Sequence, residues 1–293
     1  MTGKQLDIFT RWISDVGGKG KTKSLQDMMS RNWFSLSKKK KLSVLEHRWK
    51  DSYVRVTAGG DNKGIATIWD YDFLLFAITQ MRERMSNGEN INDCSLTFTV
   101  PDYLLFTNQS LREKKRRKQA NISGRQYKDF WSMMERLHRT HIETNIRAGG
   151  YTFNEQFVLL SSIAKKELNK KIFEVKVNLA QWFVQRVQEE KQLLTFNEDF
   201  FNLTGGLERW LFLYCRKSCG RSKEWKESIK SIYEKSASTD SLAGFKFKLN
   251  KIAKRGVLLN YSLMVEGDSL YIRQSHGSVV GKNSDGTKTI EHS

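Results

Sequence analysis

No apolar run in the 293 residues approaches the ~18 needed to cross a bilayer. Met1 to Thr10 also lacks the basic-then-apolar order of a secretory signal. These two absences predict a soluble, cytoplasmic protein with no membrane partner. Cysteine is scarce and odd in number, with only Cys94, Cys215 and Cys219. Without an export signal, that argues against a disulfide framework and fits a reducing compartment. Cys215 and Cys219 stand four apart in an apolar helical pattern with no second Cys or His pair nearby, and read as small buried thiols rather than zinc ligands. Histidine is as sparse. None of His47, His138, His141, His276 and His292 flanks a single apolar residue together with another histidine, the spacing with which a rolling-circle nickase holds its metal. A Gly-x-Ser-x-Gly elbow is missing too. Neither catalysis nor a cofactor is expected.

Acidic residues are the last shortage: 32 Asp and Glu face 50 Lys and Arg, a formal net charge of +18. Both halves share the excess, with 27 basic and 16 acidic residues in 1–150 and 23 and 16 in 151–293. Such a chain points to a polyanionic partner. Aromatic residues make up 12%. That is enough to give each of the two domains suggested by the length a sizeable core, which excludes a wholly disordered basic tail.

Residues 1–41 read as a mobile basic arm, with a short amphipathic helix from Leu6 to Val16, a Gly/Lys linker from Gly17 to Lys23, and the cationic knot Lys38, Lys39, Lys40 and Lys41. The string Gly17-Gly18-Lys19-Gly20-Lys21-Thr22 ends like a phosphate loop. It puts Asp15 where the first glycine belongs and follows no apolar strand, so a linker is the reading.

A first domain is expected over 42–178. Its buried helix spans Ile65 to Met85, where Ile68, Trp69, Phe73, Leu74, Phe76, Ala77 and Met81 recur at helical spacing. Asp70 and Asp72 point about 200° apart on such a helix and suit capping and a buried network better than a metal. A strand from Ser95 to Val100 and a helix start at Pro101-Asp102 follow. The cations Lys114, Lys115, Arg116, Arg117 and Lys118 are expected in a loop before a helix from Gln126 to Thr140. That helix packs Tyr127, Phe130, Trp131, Met134 and His138, and sets Arg125, Lys128, Ser132, Arg136 and Arg139 opposite. His138 and His141 read as a packed helix end. Alternating strands from His141 to Arg147, Phe157 to Lys165 and Ile172 to Asn178 complete the domain.

The same order is expected again over 179–273. Asn178 is placed to cap a helix from Leu179 to Glu190. Helices from Leu207 to Cys219, Ser222 to Ser236 and Ser241 to Arg255 follow, then a hairpin from Val257 to Arg273 turning at Glu266-Gly267-Asp268. Residues 274–293 have no apolar period and read as a disordered tail. The expected fold is α+β, two tandem winged-helix domains between arm and tail. In the last helix Leu242, Phe245, Leu249 and Ile252 form the packed side, and Lys246, Phe247, Lys248, Asn250, Lys251, Lys254 and Arg255 the rest, without one acid. Phe247 can meet a thymine methyl and Asn250 can pair with adenine. The cations of 114–118 and of the Gln126 helix suit phosphate or guanine. A merely solvated basic face is the alternative for each.

Three stretches carry a resemblance: Ala66-Thr67-Ile68-Trp69-Asp70-Tyr71-Asp72-Phe73-Leu74, Thr144-Asn145-Ile146-Arg147-Ala148-Gly149-Gly150, and Leu207-Glu208-Arg209-Trp210-Leu211-Phe212-Leu213-Tyr214-Cys215-Arg216-Lys217-Ser218-Cys219-Gly220. With the order of segments between them, over roughly Val54 to Ile272, they resemble the plasmid replication initiator protein A family. The resemblance implies an initiator that binds repeated or palindromic double-stranded plasmid origin DNA and recruits a host replication initiator or helicase. It also implies two winged-helix domains, and exchange between a homodimer that represses its own gene and a monomer that opens the origin. The alternatives are a rolling-circle nicking enzyme, whose motif is missing, and a basic RNA-binding protein, which the charge alone permits.

Overall fold

The computed structural model describes residues 22–39, 41–49, 52–60, 64–116, 122–146, 154–168, 171–189, 193–196, 198–219, 222 and 224–275. It is a mixed α/β fold. The first described pieces are β1 (Thr22–Leu25) and α1 (Gln26–Ser30), and β1 pairs antiparallel with the distant β9 (Leu193–Phe196). Leu25, Met28, Met29, Trp33 and Phe34 are buried. Ring centroids of Trp33 and Trp182 lie 5.4 Å apart, and those of Phe34 and Tyr71 5.0 Å. The arm expected up to residue 41 is therefore corrected for 22–39. Few apolar residues are present, but two large rings bury far more surface per residue than aliphatic side chains do. The helix expected from Leu6 to Val16, residues 17–21 of the Gly/Lys linker, Lys40, and residues 276–293 of the expected tail lie outside the described residues, whereas Thr22 and Lys23 belong to β1 and Gln274 to β13, paired with Tyr261.

The first unit runs α2 (Tyr71–Ser86), β4 (Ser95–Phe98), α3 (Val100–Thr107), α4 (Gln109–Arg116), α5 (Gly124–Arg139), then the hairpin β7 (Leu160–Leu168) and β8 (Lys171–Leu179). β8 lies between β4 and β7. α2 begins later than Ile65 because the residues before it form a turn, with Ile68 N–H donating to Ser35 O at 2.9 Å and Asp70 N–H to Thr67 O at 2.8 Å. Thr99 and Asp102 make a capping box at α3, with Pro101 in its first turn, and Ser123 and Gln126 cap α5 in the same way. The expected basic loop is corrected: Lys114, Lys115 and Arg116 extend α4, since unbranched cations are good helix formers. Arg117 and Lys118 lie outside the described residues.

A second sheet has the order β2 (Val44–Trp49), β3 (Ser52–Ala58), β5 (Thr140–Thr144), β6 (Glu155–Val158). The strand expected from His141 belongs here and not to the hairpin sheet. Ile142 stands opposite Val56, and Leu45, Val54, Val56 and Ile142 are all buried.

After α6 (Gln181–Gln188) the second unit runs α7 (Gly206–Cys219), β10 (Glu224–Ser228), α8 (Ile229–Ser236), α9 (Leu242–Ala253), β11 (Val257–Leu258), β12 (Tyr261–Glu266) and β13 (Ser269–Gln274). β13 lies between β10 and β12, so the strand arrangement of the first unit recurs. Three expectations are corrected here. Asn178 lies within β8, and α6 has Ala180 at its N-cap with no side-chain cap bond. Glu224–Ser228 is a strand, because Trp225 pairs opposite Ile272 before Ser228 caps α8. Leu242, in the first turn of α9, is exposed. One contiguous apolar cluster runs through both units, with Cys215 and Cys219 buried in it. Among the described residues no helix is long and apolar enough to cross a membrane.

Candidate nucleic-acid interface

α9 is built for a wet outer side. Ser241 accepts from Gly244 N–H at its start, and Phe245, Leu249 and Ile252 are buried. Helical geometry then turns Phe247, Lys251 and Lys254 away from the core, and all three are exposed. Phe247 has 71% of its surface in solvent, the most among the exposed large hydrophobic residues described. A lone exposed ring is ordinary on a protein surface, but here it stands among cations and offers an apolar contact beside charges suited to phosphate. Asn250 is half-buried and its Nδ2 donates to Lys246 O at 3.0 Å.

The remaining cations of α9 are partly neutralised. Lys246 Nζ lies 2.7 Å from Asp268 at the tip of the β12–β13 hairpin, Lys248 Nζ lies 2.7 Å from Asp240, and Arg255 Nη1 lies 2.5 Å from Glu208. The Lys246 ammonium holds the Asp268 carboxyl below the usual carboxylate range. Gly267, with φ of 56°, makes the tight turn that brings Asp268 there.

α5 buries Phe130, Met133, Met134 and Leu137 and exposes Arg125 and Lys128, with Arg139 half-exposed. Its outer side is mixed rather than purely basic, since Asp129 and Glu135 are exposed as well. Arg136 does not join it. Its Nε and Nη2 hold both Asp70 oxygens, at 2.8 and 2.7 Å, and this pairing raises the arginine's pKa still further. Arg136 is therefore a packing residue of the α2–α5 junction, 66 positions from its partner, a pairing that no local pattern shows. His138, expected on the packed side, is exposed instead, with its Nδ1 bonded to Leu160 O at 2.7 Å.

One residue escaped the sequence reading. Lys165 on β7 places its Nζ 4.2 Å from the centroid of Trp131, so the hairpin adds a cation beside α5. Lys166 and Lys176 on the same hairpin are exposed. The Lys165-Lys166 doublet entering a hairpin was the available signal.

The two units are joined by a buried ion pair. Asp72 on α2 bonds Arg209 on α7, and Arg209 also donates to Leu203 O at 3.0 Å and lies 4.4 Å from the Phe200 ring centroid. Asp70 and Asp72 thus each hold an arginine, as expected of a buried network. Among the described residues no group of three or more His, Cys, Asp or Glu could hold a metal ion.

Comparison with known proteins gives the class first. The chain is 28% identical over 207 residues to a protein described as a replication protein in Wigglesworthia glossinidia brevipalpis, covering 68% of this chain and 70% of that one. Its fold is similar to a crystal structure of domains 2 and 3 of RctB, with a TM-score of 0.59 at 14% identity, covering 87% of this chain and 99% of that one. A second structure of RctB domains 2–3 has a TM-score of 0.52 at 12% identity, covering 83% and 95%. The family model for replication initiator protein A matches residues 23–263. The chain belongs to that family, and its role is in replication initiation.

Proposed function

We propose that both units are winged helices and that the protein binds double-stranded origin DNA sequence-specifically, with α5 and α9 entering major grooves and the hairpins β7–β8 and β12–β13 flanking them. A plasmid origin, recruitment of a host initiator or helicase, and homodimerisation complete the function, which is one of binding rather than of catalysis. The observation that carries it is the outer side of α9, where an exposed phenylalanine stands among cations on the third helix of its unit. What supports the DNA reading over a solvated face is the combination of ring and cations, which matches a thymine methyl beside phosphates. Footprinting the protein on duplex flanking its own gene tests this. Protected repeats at helical-turn spacing support it, and protection of RNA alone, or a metal-dependent nick, overturns it.

Binding should be strongly salt-dependent. Four phosphate contacts would lower the affinity on the order of 100-fold between 50 and 200 mM salt, and a flat titration would exclude them. Asn250→Ala is expected to cost about 1 to 3 kcal/mol on the cognate duplex and little on a scrambled one at the same salt. Its bond to Lys246 O uses one of two amide hydrogens and leaves the other, with Oδ1, for a bidentate contact with adenine. Equal small losses on both duplexes would leave Asn250 a residue that satisfies its own helix backbone.

A further inference from the structure

Between α5 and α9 runs a strap, residues 35–39 and 41–42, whose cations the DNA contacts above leave unused. Two clefts meet at it. One, of about 740 Å³, has Arg125 and Asp129 of α5 on one wall and Lys38 and Lys41 of the strap on another. The other, of about 370 Å³, sets Lys248 and Lys251 of α9 against Leu36. Ser37 lines both.

The strap is held on each side. Ser35 N–H donates to Ala66 O at 2.9 Å, Ile65 N–H to Leu42 O at 2.7 Å, and Lys39 N–H to Ser37 Oγ at 3.2 Å. On the far side α7 closes against it so tightly that a Cβ at Gly206 would stand 2.1 Å from Leu36 O, a position only glycine permits. Lys38 Nζ rests 4.5 Å from the Trp69 centroid. No acid occurs between Asp27 and Glu46.

Among the described residues the strap shares the unpaired state of Lys251 and Lys254 on α9 and differs from the paired cations of both helices. Lys38, Lys39 and Lys41 are exposed, and among the described residues none of them forms an ion pair. Arg136, Lys246, Lys248 and Arg255 must each leave a carboxylate before they meet a phosphate. A cation already ordered and unpaired loses less on binding and gains the full counterion release. A duplex taken by α5 and α9 together must carry its backbone past the segment between them.

We propose that Lys38, Lys39 and Lys41 grip the phosphate backbone between the two helix insertions, a third DNA contact that fixes the spacing at which both units engage one duplex. This role rests on the DNA-binding function proposed above. The test uses the full chain with Lys38→Gln, Lys39→Gln and Lys41→Gln combined, beside the same three positions changed to Arg. Each is titrated on the footprinted duplex and on a scrambled one at several salt concentrations, and probed by hydroxyl-radical protection. The Gln variant should lower the salt slope by roughly 2 to 3 and the affinity by roughly tenfold on both duplexes. It should also lose protection of the backbone between the two helix footprints, while the Arg variant keeps all three. The pair Lys39→Gln with Lys41→Gln spares the Lys38–Trp69 contact and should give about two-thirds of the change in slope, which guards against a folding defect. An unchanged slope and protection pattern in a Gln variant, with wild type binding normally, overturns the strap contact alone. A wild-type chain that binds neither duplex overturns it together with the DNA-binding function.

Discussion

Replacing Arg209 with Leu is expected to lower the free energy of unfolding by about 3–5 kcal/mol at neutral pH, read from a urea titration. Leucine fills much of the space but leaves the Asp72 carboxylate buried without its counter-charge, and Arg209 itself is only 1% exposed. The loss should depend on pH. Burial raises the Asp72 pKa to about 6, outweighing the attraction of Arg209. A carboxyl whose folded pKa lies above its ordinary 3.8 adds stability that is fully present below that value and is lost as pH rises through about 6. Without Arg209 the folded pKa climbs further, so the Arg209→Leu defect should shrink as the pH is lowered toward 5. Adding Asp72→Leu to the same chain should recover most of the stability, because the stranded charge and not the missing pair is what costs. A double variant as unstable as the single one would overturn the stranded-charge explanation and put the cost on the lost contacts of Arg209 themselves.

Phe247→Ala combined with Lys251→Gln and Lys254→Gln is expected to lower affinity for the cognate duplex about 100-fold, one base contact and two cations being lost together. The unfolding midpoint should stay unchanged, since all three side chains face solvent. On scrambled duplex the loss should be smaller, because the ring contributes only where a thymine methyl meets it. Equal loss on both duplexes would reduce α9 to a phosphate contact. Loss of thermal stability would mean that Phe247 packs against the protein itself.

Elements whose cause is local were legible in the sequence. Pro101 and Asp102 announce α3, though the strand expected through Val100 ends at Phe98; Ser241 opens the stretch read as α9, and the Glu266-Gly267-Asp268 turn announces the last hairpin. What could not be read depends on partners far along the chain. β10 is a strand because Ile272 waits opposite Trp225, and residues 22–39 are ordered because Trp182 and Tyr71 receive Trp33 and Phe34. The candidate interface divides in the same way. Helical spacing placed Phe247, Lys251 and Lys254 correctly on an outer side, whereas Arg136 and Arg255 are held by Asp70 and Glu208, which no periodicity relates to them.

The pairing of β1 with β9 has a consequence for how the chain is born. β1 has no partner strand until much of the protein has followed. Leu25 must wait for Leu193, and the Asn32 amide, which donates to Ser236 O at 2.8 Å, waits longer still. On the ribosome, Trp33 therefore stays uncovered while the first unit condenses around α2, whose Tyr71 already receives Phe34. Contacts of such long separation close slowly and leave apolar surface open to wrong partners in the meantime. Refolding from denaturant should accordingly end in a late step in which Trp33 settles against Trp182, visible as a slow tryptophan fluorescence phase after most of the helical signal has returned.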